Sequence, residues 1–361
     1  MRILYLTDSS PDYLADLLYV GLCRTLGADQ VIDYPYKALY HDPLHRVHYA
    51  PQIPGRPYQE EEVSGVLRDK QFDLAILSSP RRGATMAWES LAKGGAMPPL
   101  VLLDGEDDSA LRGALFHRHR GALYFKREYR LPPVGGAYGL VRRWRASRAD
   151  ATLAQRTYPL PLAVAMDTLP ALPIVPRDVD VSYAARISHP KRRQAVELLR
   201  QASGVGFHGG VYAEEEDRQS KLLSGVARLL VKLTGDPPVT AVQRGTKLLK
   251  TEYYALLGRS KMALSIRGGG FDTLRYWEVV ASGALLISEQ PDIEIPNNFL
   301  HGQQALFCRQ DLSDLPELVR YYASRDAKRE SIARAGYEHL LRFHTCERRA
   351  EQLLAVCKQT L

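Results

Sequence analysis

Short continuous apolar runs recur along this chain, each followed by a turn and then by a helical pattern. "RILYLTD", "FDLAILSS" and "PLVLLDGEDD" stand in the first half, and "VDVSYAAR", "KMALSIRG" and "ALLIS" in the second. A strand wetted on one face alternates apolar and polar residues. A strand apolar throughout is covered on both faces, which is the mark of a parallel sheet flanked by helices. The intervening segments agree: "YLADLLYVGLCRTLG" places Leu14, Leu17, Leu22 and Leu26 on or near one helical face and closes at Gly27. The expected fold class is therefore α/β.

With 361 residues the chain exceeds what one core usually supports, so two domains are expected. Five prolines fall within residues 157 to 178. Proline removes an amide donor and biases its predecessor toward extended backbone, so the interdomain connection is placed at residues 166–177. Residues 1–165 then form the first α/β domain and 178–345 the second, followed by a helical end at 346–361. A polar, aromatic and histidine-bearing stretch from about residue 37 to 58 is long for a loop inside a compact domain, and is either functional or mobile.

Composition excludes several classes. A formal charge of +7 suits small phosphorylated ligands as well as polyanions. Cys23, Cys308, Cys346 and Cys357 form no CxxC pair, which argues against a disulfide framework or zinc site and for a reducing, cytoplasmic setting. The opening "MRILYLTDSS" reads as strand and turn rather than as a signal peptide, and no window offers about 20 apolar residues for a membrane span.

The segment "IRGGGFDTLRYWEVVASGALLIS", residues 266 to 288, carries the most chemistry. Gly268, Gly269 and Gly270 lie in a strand-to-helix turn, where glycine permits close backbone approach and the helix amides can meet negative oxygen. Asp272 or Thr273 can cap the helix. Arg275 and Glu278 share a helical face. They are either a surface ion pair, or Arg275 meets phosphate through its fork of donors while Glu278 holds two ribose hydroxyls. The turn lacks the ending of a Walker loop, and "TDSSPDY" after the first strand has no dinucleotide-binding glycines.

Together with "DLSDLPELVRYYASRDAKRESIARAGYEHLLRFHTCERRAEQLL", "VDVSYAARISHPKRRQAVELL" and "YPLPLAV", this segment resembles the CgeB-like glycosyltransferases, relatives of the group 1 glycosyltransferases with GT-B architecture. The resemblance is most specific over residues 178 to 350. It implies two Rossmann-like domains facing across a cleft, with residues 346–361 crossing back to the first. It implies a nucleoside-diphosphate sugar as donor substrate, a uridine diphosphate sugar being favoured, with no tightly bound cofactor and no metal. It matches Glu278 to the ribose-holding acid, Arg275 and Gly268 to Gly270 to the diphosphate surroundings, and Arg186 to a phosphate contact. His208 and Gly209 are placed near the nucleotide base. Phe271 stands seven before Glu278, where many group 1 enzymes have a second glutamate.

Cleaving such a donor develops negative charge on the departing diphosphate, and Arg186, Arg267 and Arg275 can meet it. An acceptor hydroxyl needs a proton acceptor in an inverting reaction. "DGEDD" ends an apolar strand, so Asp104, Glu106, Asp107 and Asp108 are expected near the cleft; Glu106 and Asp107 are either the catalytic candidates or part of a solvated loop, helix cap or lysine pair, in one structural network with Lys126, Arg127 and Glu128. The acceptor, whether glycan, small molecule, protein or DNA, is not read from the residues. His189 either approaches a ligand or caps a helix, His344 packs between domains, and Tyr253 and Tyr254 are core or cleft-wall aromatics. Two alternatives stand: a noncatalytic carbohydrate-binding or coat-assembly protein of the same fold, and a nucleic-acid glycosyltransferase, prompted by the basic "LVRRWRASR" and "HPKRR".

Overall fold

A computed structural model of the chain describes residues 1–119, 121–130, 153–171, 176–212 and 248–361. The basic run at 140–148, with Trp144, lies outside the described residues, as does most of the acidic stretch after Tyr212.

Two parallel sheets organise the molecule. The first contains β1 (Ile3–Leu6), β2 (Val31–Tyr34), β3 (Leu74–Leu77), β4 (Leu100–Asp104), β5 (Leu123–Lys126) and β6 (Thr157–Pro159) in the order β2-β1-β3-β4-β5-β6. The second contains β7 (Val179–Arg186), β8 (Phe207–Tyr212), β9 (Ser260–Ser265), β10 (Leu285–Glu289) and β11 (Leu306–Cys308) in the order β11-β10-β9-β7-β8. Read from the other edge, the second sheet repeats the strand order of the first, with β7, β8 and β9 in the places of β1, β2 and β3. Each sheet thus reverses its winding beside its own first strand, and ligands of open α/β sheets bind at the strand ends there.

The helices follow the sequence pattern. They are α1 (Tyr13–Leu26), the single turn α2 (Ala38–His41), α3 (Glu60–Arg68), α4 (Arg82–Ala92) and α5 (Gly113–Arg118), then α6 (Pro190–Gln201), α7 (Lys250–Arg259), α8 (Leu274–Ala281), α9 (Leu315–Ala323), α10 (Asp326–Phe343) and α11 (Cys346–Thr360). Asp12 starts α1 by accepting the amides of Leu14 and Ala15 at 3.1 Å each. His189 starts α6, its Nδ1 accepting the Lys191 amide at 3.2 Å with Pro190 in the first turn. That is its capping alternative. Among the described residues no helix is long and apolar enough to cross a membrane.

The two-residue period of the strands divides the core. Leu4 and Leu6 face one apolar cluster with α3 and α4, while Ile3 and Tyr5 face another with α1. Met262 and Leu264 likewise join a cluster on the outer face of the second sheet, while Ala263 faces inward. The inner cluster is shared: it holds Leu17 of α1, Trp277 of α8 and Leu353 of α11. The last helix does cross back. Arg24 of α1 pairs with Glu347 at 2.9 Å, and Gln352 donates to the Pro159 carbonyl at 3.1 Å.

The stretch from 37 to 58 has structure of its own. Tyr40 stacks on Tyr19 at 4.1 Å, and His41 lies between Asp33, at 3.1 Å, and the Ile53 carbonyl, at 2.7 Å. Lys37 bonds the wholly buried Asp16 at 2.8 Å. These contacts tie the long connection to α1 and β2.

Helices α1 and α11 touch at Gly21, where a Cβ would overlap the Cys346 carbonyl. Gly21→Ala is expected to lose about 1–3 kcal/mol, because the added carbon would meet the Cys346 backbone, which cannot turn aside as a side chain can. Gly65→Ala, on α3 where the added carbon would meet Arg68 Nη2 at an ordinary contact distance of 3.9 Å, is expected to gain roughly 0.5–1 kcal/mol. Thermal unfolding followed by circular dichroism checks the opposite signs.

Candidate active site

The ends of β4 and β5 in the first sheet and of β7, β8 and β9 in the second border a cavity of about 700 Å³, within the range that holds small-molecule ligands. Tyr13, His48, Asp107 and Arg127 line it from the first domain. The second domain contributes Arg186, Arg192, Tyr212, Lys250, Tyr253, Tyr254, the loop from Gly268 to Gly270, Arg275 and Glu278.

Glu278 is buried on α8 beneath two phenols. Tyr254 Oη donates to its Oε1 at 2.8 Å and Tyr253 Oη to its Oε2 at 3.2 Å. Each oxygen keeps lone-pair capacity for one more donor. Burial first, and then the Glu278 charge, push both phenols well above the ordinary tyrosine range, so both stay protonated as donors. The surface ion pair between Arg275 and Glu278 does not form. Arg275 instead lies 5.6 Å from the Tyr183 ring centre and 5.9 Å from that of Tyr253, and its Nε is buried without a hydrogen-bond partner. A buried guanidinium flanked by rings, in a cavity wall, is a cation available to an anionic ligand.

Arg192, which sequence reasoning left within a basic run, is a buried member of the same wall. Its Nε donates to the carbonyls of Ile266 at 3.2 Å and Arg267 at 2.9 Å, and its Nη1 to that of Arg186 at 2.8 Å. Burial pushes its pKa down, and the neighbouring charges of Arg275 and Arg186 act in the same direction. Lys191 beside it bonds Glu289 at 2.5 Å. "HPKRR" is therefore no solvent-facing basic strip: its lysine is paired and its first arginine is buried.

The glycine loop carries more contacts than a flexible turn would. A Cβ on Gly268 would press on Arg192 and Ser188, one on Gly269 would overlap the Asp107 carboxylate, and one on Gly270 would overlap that of Glu128. Arg267 does not line the cavity: its guanidinium lies over Phe271 at 4.1 Å and donates to the Gly269 carbonyl at 3.1 Å. Thr273 occupies the N-cap position, but its hydroxyl meets Ser265 at 3.1 Å rather than a helix amide. Asp272 is buried, accepting from the Leu162 amide at 2.5 Å and from Trp277 Nε1 at 2.8 Å. It serves the domain junction through both oxygens while also lining the cavity.

Three further placements differ from expectation. His208 and Gly209 lie inside β8 and not after it: His208 pairs with Ser182, and the strand runs on to Tyr212 opposite Arg186. The two glycines read as a loop because they stop the apolar pattern, yet Gly209 has φ +124° and brings the edge strand against the Tyr183 carbonyl. Tyr212 reaches the cavity in their stead. Of the two catalytic candidates, Asp107 lines the cavity, hydrogen-bonded to Arg127. Glu106 lies 3.5 Å from Arg81 and is not among the lining residues. His48, exposed in the anchored stretch after α2, reaches the cavity from the first domain. Only its place in that unusually long stretch could have singled it out.

Lys250 opens α7 with its Nζ 4.5 Å from the Tyr254 ring centre. Burial pushes its amine down to about 8, against the pull of the Glu278 charge. A side-chain NMR titration is expected to show one lysine titrating near that value, and to lose that resonance in Lys250→Arg. Titration of every lysine near the ordinary value of about 10.4 would contradict it.

The family described as glycosyl transferase-like matches this chain by its sequence model over residues 192–355. No curated protein sequence matches the chain. The solved structure of Anabaena Alr3699/HepE in complex with UDP and glucose is 11% identical, with a TM-score of 0.58 and 99% of each chain covered. A glycosyltransferase from Rickettsia africae is 11% identical, with a TM-score of 0.59, covering 99% of this chain and 98% of its own. Sucrose-phosphate synthase from Thermosynechococcus elongatus is 12% identical, with a TM-score of 0.55, over 99% of this chain and 98% of its own. With its two facing parallel sheets and its returning last helix, the chain has the α/β two-domain fold of the GT-B glycosyltransferases.

Proposed function

We propose that this protein is a glycosyltransferase that takes a sugar from a nucleoside-diphosphate donor, a uridine diphosphate sugar in the first instance, and passes it to an acceptor hydroxyl. The observation that carries the reading is the pairing, on one wall of the cavity, of a buried carboxylate with cations. Glu278, steadied by two phenols, faces the same space as Arg186, Arg275 and Lys250. A ribose diol and a diphosphate are the ligand parts that ask for those two chemistries side by side. HepE, whose fold this chain shares, is described with UDP and glucose bound.

The cations also suit the reaction. As the anomeric carbon separates from the diphosphate, charge grows on the leaving oxygens, and fixed donors already aimed at that position lower the barrier; loss of one such donor in other enzymes costs about 3–4 kcal/mol. Arg186, Arg275 and Lys250 supply that charge from side chains, and on this reading the reaction needs no metal. The acceptor enters against Tyr13, His48 and Asp107. His48 and Asp107 are the groups there able to take a proton from its hydroxyl, with Asp107 held by Arg127.

Calorimetric titration with UDP, and with its analogue lacking both ribose hydroxyls, tests the reading. The natural protein is expected to prefer UDP. Glu278→Gln is expected to weaken UDP roughly tenfold or more, as for lost hydrogen bonds to a charged group, and to abolish the preference. Equal binding of both nucleotides by the natural protein, or none of either at millimolar concentration, would overturn the proposal. Sugar transfer that survives a chelator would support its metal-independent form.

A further inference from the structure

The loop bearing Gly268 to Gly270 belongs to the second domain, yet it is held from the first. Glu128, two residues past β5, accepts the Phe271 amide through Oε2 at 3.0 Å and the Asp272 amide through Oε1 at 2.8 Å. It is 3% exposed and is not among the residues lining the cavity, whereas Gly268, Gly269 and Gly270 are. The carboxylate therefore grips the loop from behind, leaving the cavity face open. Gly270 is glycine because a Cβ would occupy the carboxylate's own position.

The neighbours of Glu128 continue the seam. The Tyr129 carbonyl accepts the Glu294 amide at 2.8 Å, and Arg130 pairs with Asp292 at 3.2 Å while lying 5.6 Å from the Phe271 ring centre. On the other side Arg127 bonds Asp107, which touches Gly269. One short segment after β5 thus contacts the loop at Gly269, Gly270, Phe271 and Asp272, directly or through Asp107.

We propose that Glu128 is a positioning residue: it fixes the glycine loop in its ligand-receiving shape, so that the diphosphate site of the second domain is complete only while the first domain is docked on it. The proposal rests on the donor reading above. A carboxylate plug competing with the ligand is a different idea, and it would require Glu128 on the cavity wall. A tie serving stability alone would alter unfolding without altering the loop.

The test uses full-length Glu128→Gln, which keeps the shape but turns an NH2 toward one of the two amides, and Gly270→Ala, which displaces the carboxylate from the opposite side. Hydrogen exchange at the Phe271 and Asp272 amides is expected to quicken roughly tenfold or more in both variants, with exchange in α10 unchanged. UDP affinity is expected to fall about tenfold, appearing in KM for the donor rather than in kcat. Unaltered exchange at the two amides overturns the proposal, whether or not UDP binds. Quickened exchange with UDP affinity within about twofold of the natural protein also overturns it. Absence of UDP binding by the natural protein defeats the donor reading instead, and the exchange result still decides whether Glu128 holds the loop.

Discussion

The buried carboxylate of Asp272 is the interaction on which the arrangement of the two sheets depends. It stands at the head of α8 and accepts from the backbone of Leu162, in the segment that follows β6, and from the indole of Trp277 within its own domain. Burial pushes its pKa up, against the pull of Arg127, the bonds from the Leu162 amide and the Trp277 indole, and Arg349. Arg349 in turn donates to the Leu162 carbonyl at 3.0 Å and meets His344 at 3.1 Å. A first-domain residue, the glycine-loop helix and the last helix therefore converge on one charge. Removing one member of such a buried set generally costs about 3–5 kcal/mol, because the remaining charge is left without a partner.

From that junction the cleft takes its shape. The glycine loop ends where Asp272 is held, and α8 runs on from there to Glu278, a little over one turn into the helix. The position of the ribose-facing carboxylate is thus set by the same contact that joins the domains. His344 contributes as a neutral packing group: it is fully buried, 4.6 Å from the Trp277 ring, and burial together with Arg349 holds its pKa well below the usual histidine range.

Much of this was legible because it is local. Continuous apolar runs declare buried parallel strands, and each becomes one here; Gly27 ends α1, and the spacing of Arg275 and Glu278 puts both on the cavity side of α8. What was not legible is non-local. The triple glycine marks a special turn, but the sequence does not say that Arg192, Asp107 and Glu128 are the three neighbours that forbid a side chain at each position. His208 and Gly209 misled because a glycine pair interrupts an apolar pattern in the same way whether it ends a strand or brings an edge strand close to its neighbour. Tyr13 and His48 come from a helix start and a long connection, and only the closing of the first sheet onto the second brings them beside Glu278.

The return of the last helix has a mechanical consequence. The chain passes between the two bodies twice, and the passages are bonded to each other: the Val164 amide donates to the His344 carbonyl at 3.2 Å and the Cys346 amide to the Val164 carbonyl at 3.0 Å. Two crossings fastened side by side behave as one hinge pin and not as two independent tethers. Because α11 is locked onto α1 at Gly21, the pin is anchored in the first body along a whole helix. The bridge between Val164 and Thr345 couples the two crossings, so that displacing one length of chain at this line displaces the other.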